Sequence, residues 1–247
     1  MTQFEIDELF DKEKLDKSIK QPMDCFIKQF NLGEKIINKL NYSPIGTIDE
    51  KFQVLIEIHQ QIMENLSCIR CLIGNMYKNQ AGILAATIFE LSHYGIYIFK
   101  NDKALIYWNE MRGNFLKEFK NLKTIANIVR DNVTSSGKDY DSAEYDVYRQ
   151  FCRFKHPHPI LFGLKENGIF MNGNEVNDNN IQNCWYILHR SAMYSNYITH
   201  EILANYPRFF DDEIFDLENQ FSISLKEVYA HIQENFSTWS VNPLSKK

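Results

Sequence analysis

Two arginines and two histidines crowd one short stretch of this chain. Arg149, Arg153, His156 and His158 all fall in YDVYRQFCRFKHPHP, residues 145–159. A guanidinium grips two phosphate oxygens at once through its planar fork, and an imidazole titrates near neutral pH, where it serves as a proton acceptor or donor. At i and i+4, Arg149 and Arg153 share one helix face, and two cations there are costly unless something anionic meets them. The competing reading is structural. His156 then caps carbonyls at a helix C-terminus, and Arg149 pairs with Glu144, Asp146 or Glu90.

Other constellations point to metals and thiols but stay incomplete. Glu90-Leu-Ser-His93 has the Glu-x-x-His spacing of carboxylate-bridged di-metal bundles, which use that motif twice. The chain has it once, with Glu57, Glu64, His189, His200 and Glu201 as conceivable further ligands. A single Glu and His on an apolar helix read instead as a hydrogen-bonded core pair. His156 and His158 offer only two ligands, and His189 and His200 stand three helical turns apart. Cys68 and Cys71 form a C-x-x-C inside the helical pattern LSCIRCLIG, without a second pair for zinc or a strand-to-helix junction of redox type. Neither a metal nor a cofactor is expected.

Helices must position these groups. Before residue 46 come short amphipathic segments, read as a helical N-terminal arm (1–46), with Pro22 in a first turn and Gly33 as a stop. The main bundle, 47–240, is expected to continue it as one domain. Thr47 or Asp49 caps a long helix in which Phe52, Leu55, Ile56, Ile62, Met63, Leu66, Ile69, Ile73 and Met76 keep helical spacing. After a polar break at Lys78 to Gln80, AGILAATIFELSHYGIYIFK is apolar on nearly every side, as the central helix of a bundle must be.

Asn101 or Asp102 caps a further helix, and Phe115 to Val129 continues in period. The small polar run at 134–141 reads as a loop before a new cap at Asp141 or Ser142. The helix carrying Arg149 then runs from Ala143 to about Lys155, where Pro157 and Pro159 end it. Three of the ten glycines fall in 160–176, and Asn167-Gly168 there signals a small hairpin excursion. Long helices follow from Asp178 to Tyr206 and from Asp212 to Phe236. The fold class is all-α, an elongated bundle of six to eight helices. Trp185, Tyr186, Tyr194 and Tyr197 read as core and dimer interface.

The charge balance, Lys+Arg 27 against Asp+Glu 32 for a net −5, excludes a broad basic field, so any nucleic-acid contact is local. The acidic start MTQFEIDELFDKEK has no secretory pattern, and no apolar run is read as a membrane span. Five cysteines scattered through helices argue for reduced thiols. The expectation is a cytoplasmic protein with no membrane contact.

An arginine on a helix followed some residues later by a histidine at its end resembles the signature of HEPN domains. The region is also similar to a group of uncharacterised bacterial helical proteins, through Ile88-Phe89-Glu90 and through Tyr145, Tyr148 and His156. The resemblance spans about Phe52 to Asn205. It implies a helical, dimerising fold, with Arg149 and His156 catalytic and Arg153, His158, Tyr145 and Glu90 as binding residues. The activity implied is metal-independent RNA cleavage, with His156 as base on the ribose 2′-hydroxyl and Arg149 stabilising the phosphorane. Implied partners are RNA or a nucleotide and a second copy of the chain, in a defence or toxin setting. In that group an arginine often precedes the glutamate. Here the neighbours are Ala85, Ala86 and Thr87, so that helix alone offers no buried Arg and Glu pair. The rival functions are a non-enzymatic scaffold that binds a protein partner and a di-metal carboxylate bundle.

Overall fold

The computed structural model describes residues 12–41, 48–110, 124–135, 143–155, 176 and 178–236. In order these form α1 (Lys12–Ser18), α2 (Lys20–Asn41), α3 (Glu50–Gly74), α4 (Lys78–Lys100), α5 (Asp102–Glu110), α6 (Ile125–Ser135), α7 (Ala143–Lys155), α8 (Asp178–Asn205), a 3-10 turn (Pro207–Phe209) and α9 (Asp212–Asn235). The fold is all-α, with no strand among the described residues. The expected hairpin at 160–176, apart from Val176, and the cap at Asp141 or Ser142 lie outside the described residues, as does the expected helical run Phe115 to Val129 up to residue 123; its described end is not helical at Thr124 and becomes α6 from Ile125.

Helix α4 is the hub. It packs against α3, α5, α6, α7 and α8, and this explains why it is apolar on most of its circumference. Contrary to the expectation that no run has that length, α4 is by length and composition alone long and apolar enough to span a membrane, a property that a buried core helix shares. Here its apolar side chains Ala85, Ile88, Phe89 and Ile98 are buried in the protein core. Helix α8 lies along α4 and is held there by polar bonds as well as packing. Ser92 Oγ donates to the Tyr194 carbonyl at 2.8 Å, and from α2 the Gln29 amide donates to Ser195 and Thr199, each at 3.0 Å. Buried hydroxyls of this kind fix the register of one helix on another, because a slip would leave them unsatisfied.

Helix ends follow the local chemistry. Asp49 caps α3 by accepting from the Phe52 amide at 2.8 Å. The same carboxylate accepts from Tyr206 at 2.9 Å, and the Phe52 and Tyr206 rings stack 3.8 Å apart, tying the start of α3 to the end of α8. Asn101 caps α5 through bonds from the Lys103 and Ala104 amides. Two boundary expectations need correction. Gly33 does not stop a helix: α2 runs through it, and its missing side chain admits Met63 and His59 of α3. The break before α4 is Asn75 to Tyr77 rather than Lys78 to Gln80, with Met76 turning the chain at φ 62°.

Gly95 of α4 marks a close approach of α3 and α8. A Cβ there would stand 2.7 Å from Ile198 Cδ1 and 3.2 and 3.3 Å from two carbons of Ile58. Both isoleucines are fully buried, so neither side chain has room to yield. Gly95→Ala is therefore expected to destabilise by about 1 kcal/mol even though alanine favours helix by a similar amount. Gly74→Ala, with nothing within 4 Å, should be neutral or stabilising. Denaturant midpoints of the two variants check this, and a gain at both positions would show that the contact at Gly95 is loose.

Candidate functional site

The periodicity of α7 decides which of its side chains look inward. Val147 and Phe151 are buried, with Tyr148 and Phe154 packed beside them, and this apolar stripe lies on α4. Phe154 seats directly on Gly82, where a Cβ would come within 2.4 Å of its ring. Arg149 falls off the stripe. It is exposed, and its Nη1 meets Asp146 of the preceding turn at 3.3 Å. Of the three acids named as possible partners, it takes Asp146. Arg153 lies on the same helix, while His156 and His158 lie outside the described residues.

The inner face of α7 meets different chemistry. Tyr148 donates to Glu90 of α4 at 2.5 Å, with its ring stacked 5.0 Å from Phe89 and tilted against Tyr145 at 5.8 Å. Burial and the Glu90 carboxylate push the Tyr148 phenol far up, so it stays a proton donor. Glu90 and His93 are thus not the hydrogen-bonded core pair that their spacing suggested. Each faces a different partner, and no group of three potential metal ligands converges among the described residues.

His93 is almost fully buried. Asn132 of α6 donates to its backbone carbonyl at 2.9 Å and approaches Nδ1 at 3.3 Å. With Nδ1 as acceptor, the ring proton sits on Nε2, which points at Glu144 Oε1 from 3.5 Å, just outside hydrogen-bonding geometry. The Tyr197 hydroxyl donates to the same Glu144 oxygen at 3.2 Å. Burial alone would raise the Glu144 pKa, but His93, the charge of Arg190 and the Tyr197 hydroxyl outweigh it and hold the carboxyl below its ordinary value. It is a carboxylate inside the protein.

Its counter-charge is Arg190 of α8, and this arginine is poorly served. Its guanidinium lies 5.6 Å from the centre of the Tyr186 ring, and its Nη1 reaches only the sulfur of Met193 at 3.4 Å. Its Nε is buried without a partner. It acts on the Tyr186 hydroxyl through its charge and a side-chain hydrogen bond, while among the described residues no ion pair brings it within 4 Å of a carboxylate. The fully buried Tyr194 hydroxyl also lacks a partner. Phe89, Tyr194 and Tyr197 wall the cluster, Phe89 meeting Tyr194 edge-on at 4.7 Å. One edge is open, since Arg190 is only partly buried and the Glu144 side chain keeps 20% of its surface exposed.

Arg190 and Glu144 were not singled out as site residues in the sequence, although both leave a trace there. Arg190 is the one charge in the otherwise apolar or small run CWYILHRSAMY. Glu144 enters only as a conceivable partner of Arg149. The buried acid and base come from α7 and α8, not from α4. Comparison of the chain with protein-family models, with curated proteins and with solved structures finds no match.

Proposed function

We propose that the chain is a helical ligand-binding protein whose site is the cluster on α4, α7 and α8 in which Glu144 has His93 beside it and Arg190 as its counter-charge. One observation carries this reading: the largely enclosed guanidinium has no carboxylate within 4 Å among the described residues, and its Nε is buried without a hydrogen-bond partner. Burying a charge without a partner costs several kcal/mol, and folds keep such groups where function uses them. A ligand that supplies the acceptor relieves the cost, which converts it into affinity.

The reading makes an unusual forecast for stability. Removing a structural arginine destabilises, whereas Arg190→Met, which fills the space without the charge, should leave the melting temperature unchanged or raise it. The same variant should lose the thermal stabilisation that a small-molecule panel confers on the wild type. If Arg190→Met instead costs about 3 kcal/mol, the value of a broken buried ion pair, Arg190 is a structural partner and the reading falls.

A second reading rests on the outer face of α7. There Arg149 stands exposed with one acid of its own helix, available to a phosphate, and His156 follows seven residues later in the sequence. This is the sequence spacing that the HEPN resemblance links to metal-independent RNA cleavage. Cleavage of a mixed RNA pool in EDTA, lost in a folded His156→Ala variant, would support it. No cleavage by wild type at micromolar enzyme would end it.

A further inference from the structure

We infer that the outer face of α3 carries a two-thiolate site for copper(I), formed by Cys68 and Cys71. The site is independent of the ligand-binding reading, since α3 supplies none of Glu144, His93 and Arg190. Accessibility is the first argument. Of the five cysteines only these two are exposed, and both are free thiols. Cys25 and Cys184 are sealed in the core, where burial pushes them up to about 11 and about 12, and Cys152 is partly buried.

Geometry is the second argument. Residues three apart on a helix are surface neighbours, with Cβ atoms about 5–6 Å from each other. A disulfide holds its Cβ atoms at roughly 3.5–4.5 Å, so closing one here would distort the helix. An ion asks for no distortion. Two metal–thiolate bonds of about 2.3 Å, placed end to end, hold their sulfurs roughly 4.6 Å apart, which the two thiols reach by side-chain rotation alone.

The helix is held in that geometry. Leu66, Ile69 and Ile73 anchor the stretch on its buried side, and in the last turn the Asn75 amide donates to the Cys71 carbonyl at 2.8 Å. The Tyr77 backbone amide closes on the Leu72 carbonyl, also at 2.8 Å. The thiols are thus presented as a prearranged pair, which lowers the ordering cost of binding.

Donor type selects the ion. Thiolates are soft ligands and favour copper(I), for which two suffice. Structural zinc asks for four, and no third His, Cys, Asp or Glu joins the pair among the described residues. Both sulfurs bind as thiolates, so each copper(I) taken up releases two protons and leaves a complex of net charge −1.

The test is anaerobic titration of the reduced full chain with copper(I) against a chromogenic copper(I) chelator, with zinc(II) as a separate arm. The chain should take one equivalent of copper(I), more tightly as pH rises. Cys68→Ser and Cys71→Ser should each weaken binding about a hundredfold or more, since loss of a ligand exceeds the 10–100-fold typical of a group behind one. Cys152→Ser should keep the affinity. Circular dichroism should be unchanged in all three variants.

Copper(I) held equally by Cys68→Ser and Cys71→Ser would place the ion elsewhere and overturn the site, as would its complete loss from the wild type to the chelator. Zinc(II) bound as tightly through the same two thiols would overturn the choice of ion. An intrachain disulfide formed between them by glutathione disulfide, with helix content unchanged, would overturn the geometric argument.

Discussion

Phe89→Ala should lower the unfolding free energy by about 3–5 kcal/mol, the loss typical of a large aromatic deleted from a sealed core. Phe89 is fully buried, and its ring touches three site residues: His93 at 4.4 Å, Tyr148 at 5.0 Å and Tyr194 at 4.7 Å. It therefore supports packing and the orientation of polar groups at once. For a chain of this size the loss corresponds to a fall in melting temperature of roughly 10 °C. Tyr148→Phe removes only the hydroxyl bonded to Glu90 and should cost less, about 1–3 kcal/mol. Denaturant unfolding of both variants ranks them. A Phe89→Ala loss below about 1 kcal/mol would mean that the four rings do not pack as one unit.

The contrast between those variants also shows why the site was harder to read from sequence than the fold. Helices announce themselves through spacing, because burial of one face is a local demand repeated every three to four residues. Thus α3, α4, α8 and α9 stand within a few residues of where their periodicity puts them. Glu144, His93, Asn132 and Arg190 come from four different helices, and nothing in their sequence separation tells which will meet. Their meeting depends on rotational phase and on which helices are neighbours. Phase was partly available. Val147, Tyr148, Phe151 and Phe154 define the inward stripe of α7, and Arg149 already lies off it. The residues with the most recognisable chemistry drew attention to the outer face, while the unsatisfied polar groups sit on the inner one.

Gly33 teaches the same lesson at the level of one residue. A glycine near the end of an apolar run reads as a helix stop, because glycine is favoured just past a helix C-terminus. The chain uses it for space instead. A Cβ there would fall 2.2 Å from Met63 Sδ and 3.3 Å from His59 Cε1, so the glycine lets α2 approach α3. Only the neighbouring helix reveals the difference.

That approach of α2 to α3 encloses His59 and leads to an expected acid sensitivity. His59 has no exposed surface, and neither ring nitrogen makes a hydrogen bond among the described residues. Burial pushes its pKa from 6.5 down to about 4, offset only in part by the nearby Gly33 backbone. His189 of α8 is similar. Burial first, and the charge of Arg190 second, bring it from 6.5 to about 3. Both histidines bind protons more readily in the unfolded chain, so stability rises with pH between the folded and unfolded values and falls on acidification below 6.5. Each contributes about 1.4 kcal/mol per pH unit inside that window, or together about 4 kcal/mol at pH 5. Against a total of about 5–15 kcal/mol, that is a large share.

His200 acts in the other direction. Its bond to Glu218 raises its pKa, so its contribution is present at low pH and lost as pH rises, but its exposed ring makes the effect small. Glu144, held below its ordinary 4.5, adds a further loss only at lower pH. Denaturant midpoints measured from pH 7.5 to pH 5 should therefore fall steeply in the wild type. They should fall less in His59→Leu, where the titrating ring is replaced by an apolar side chain in the same sealed space. A wild-type midpoint unchanged across that range would mean that both rings gain protons as easily folded as unfolded, which their enclosure forbids.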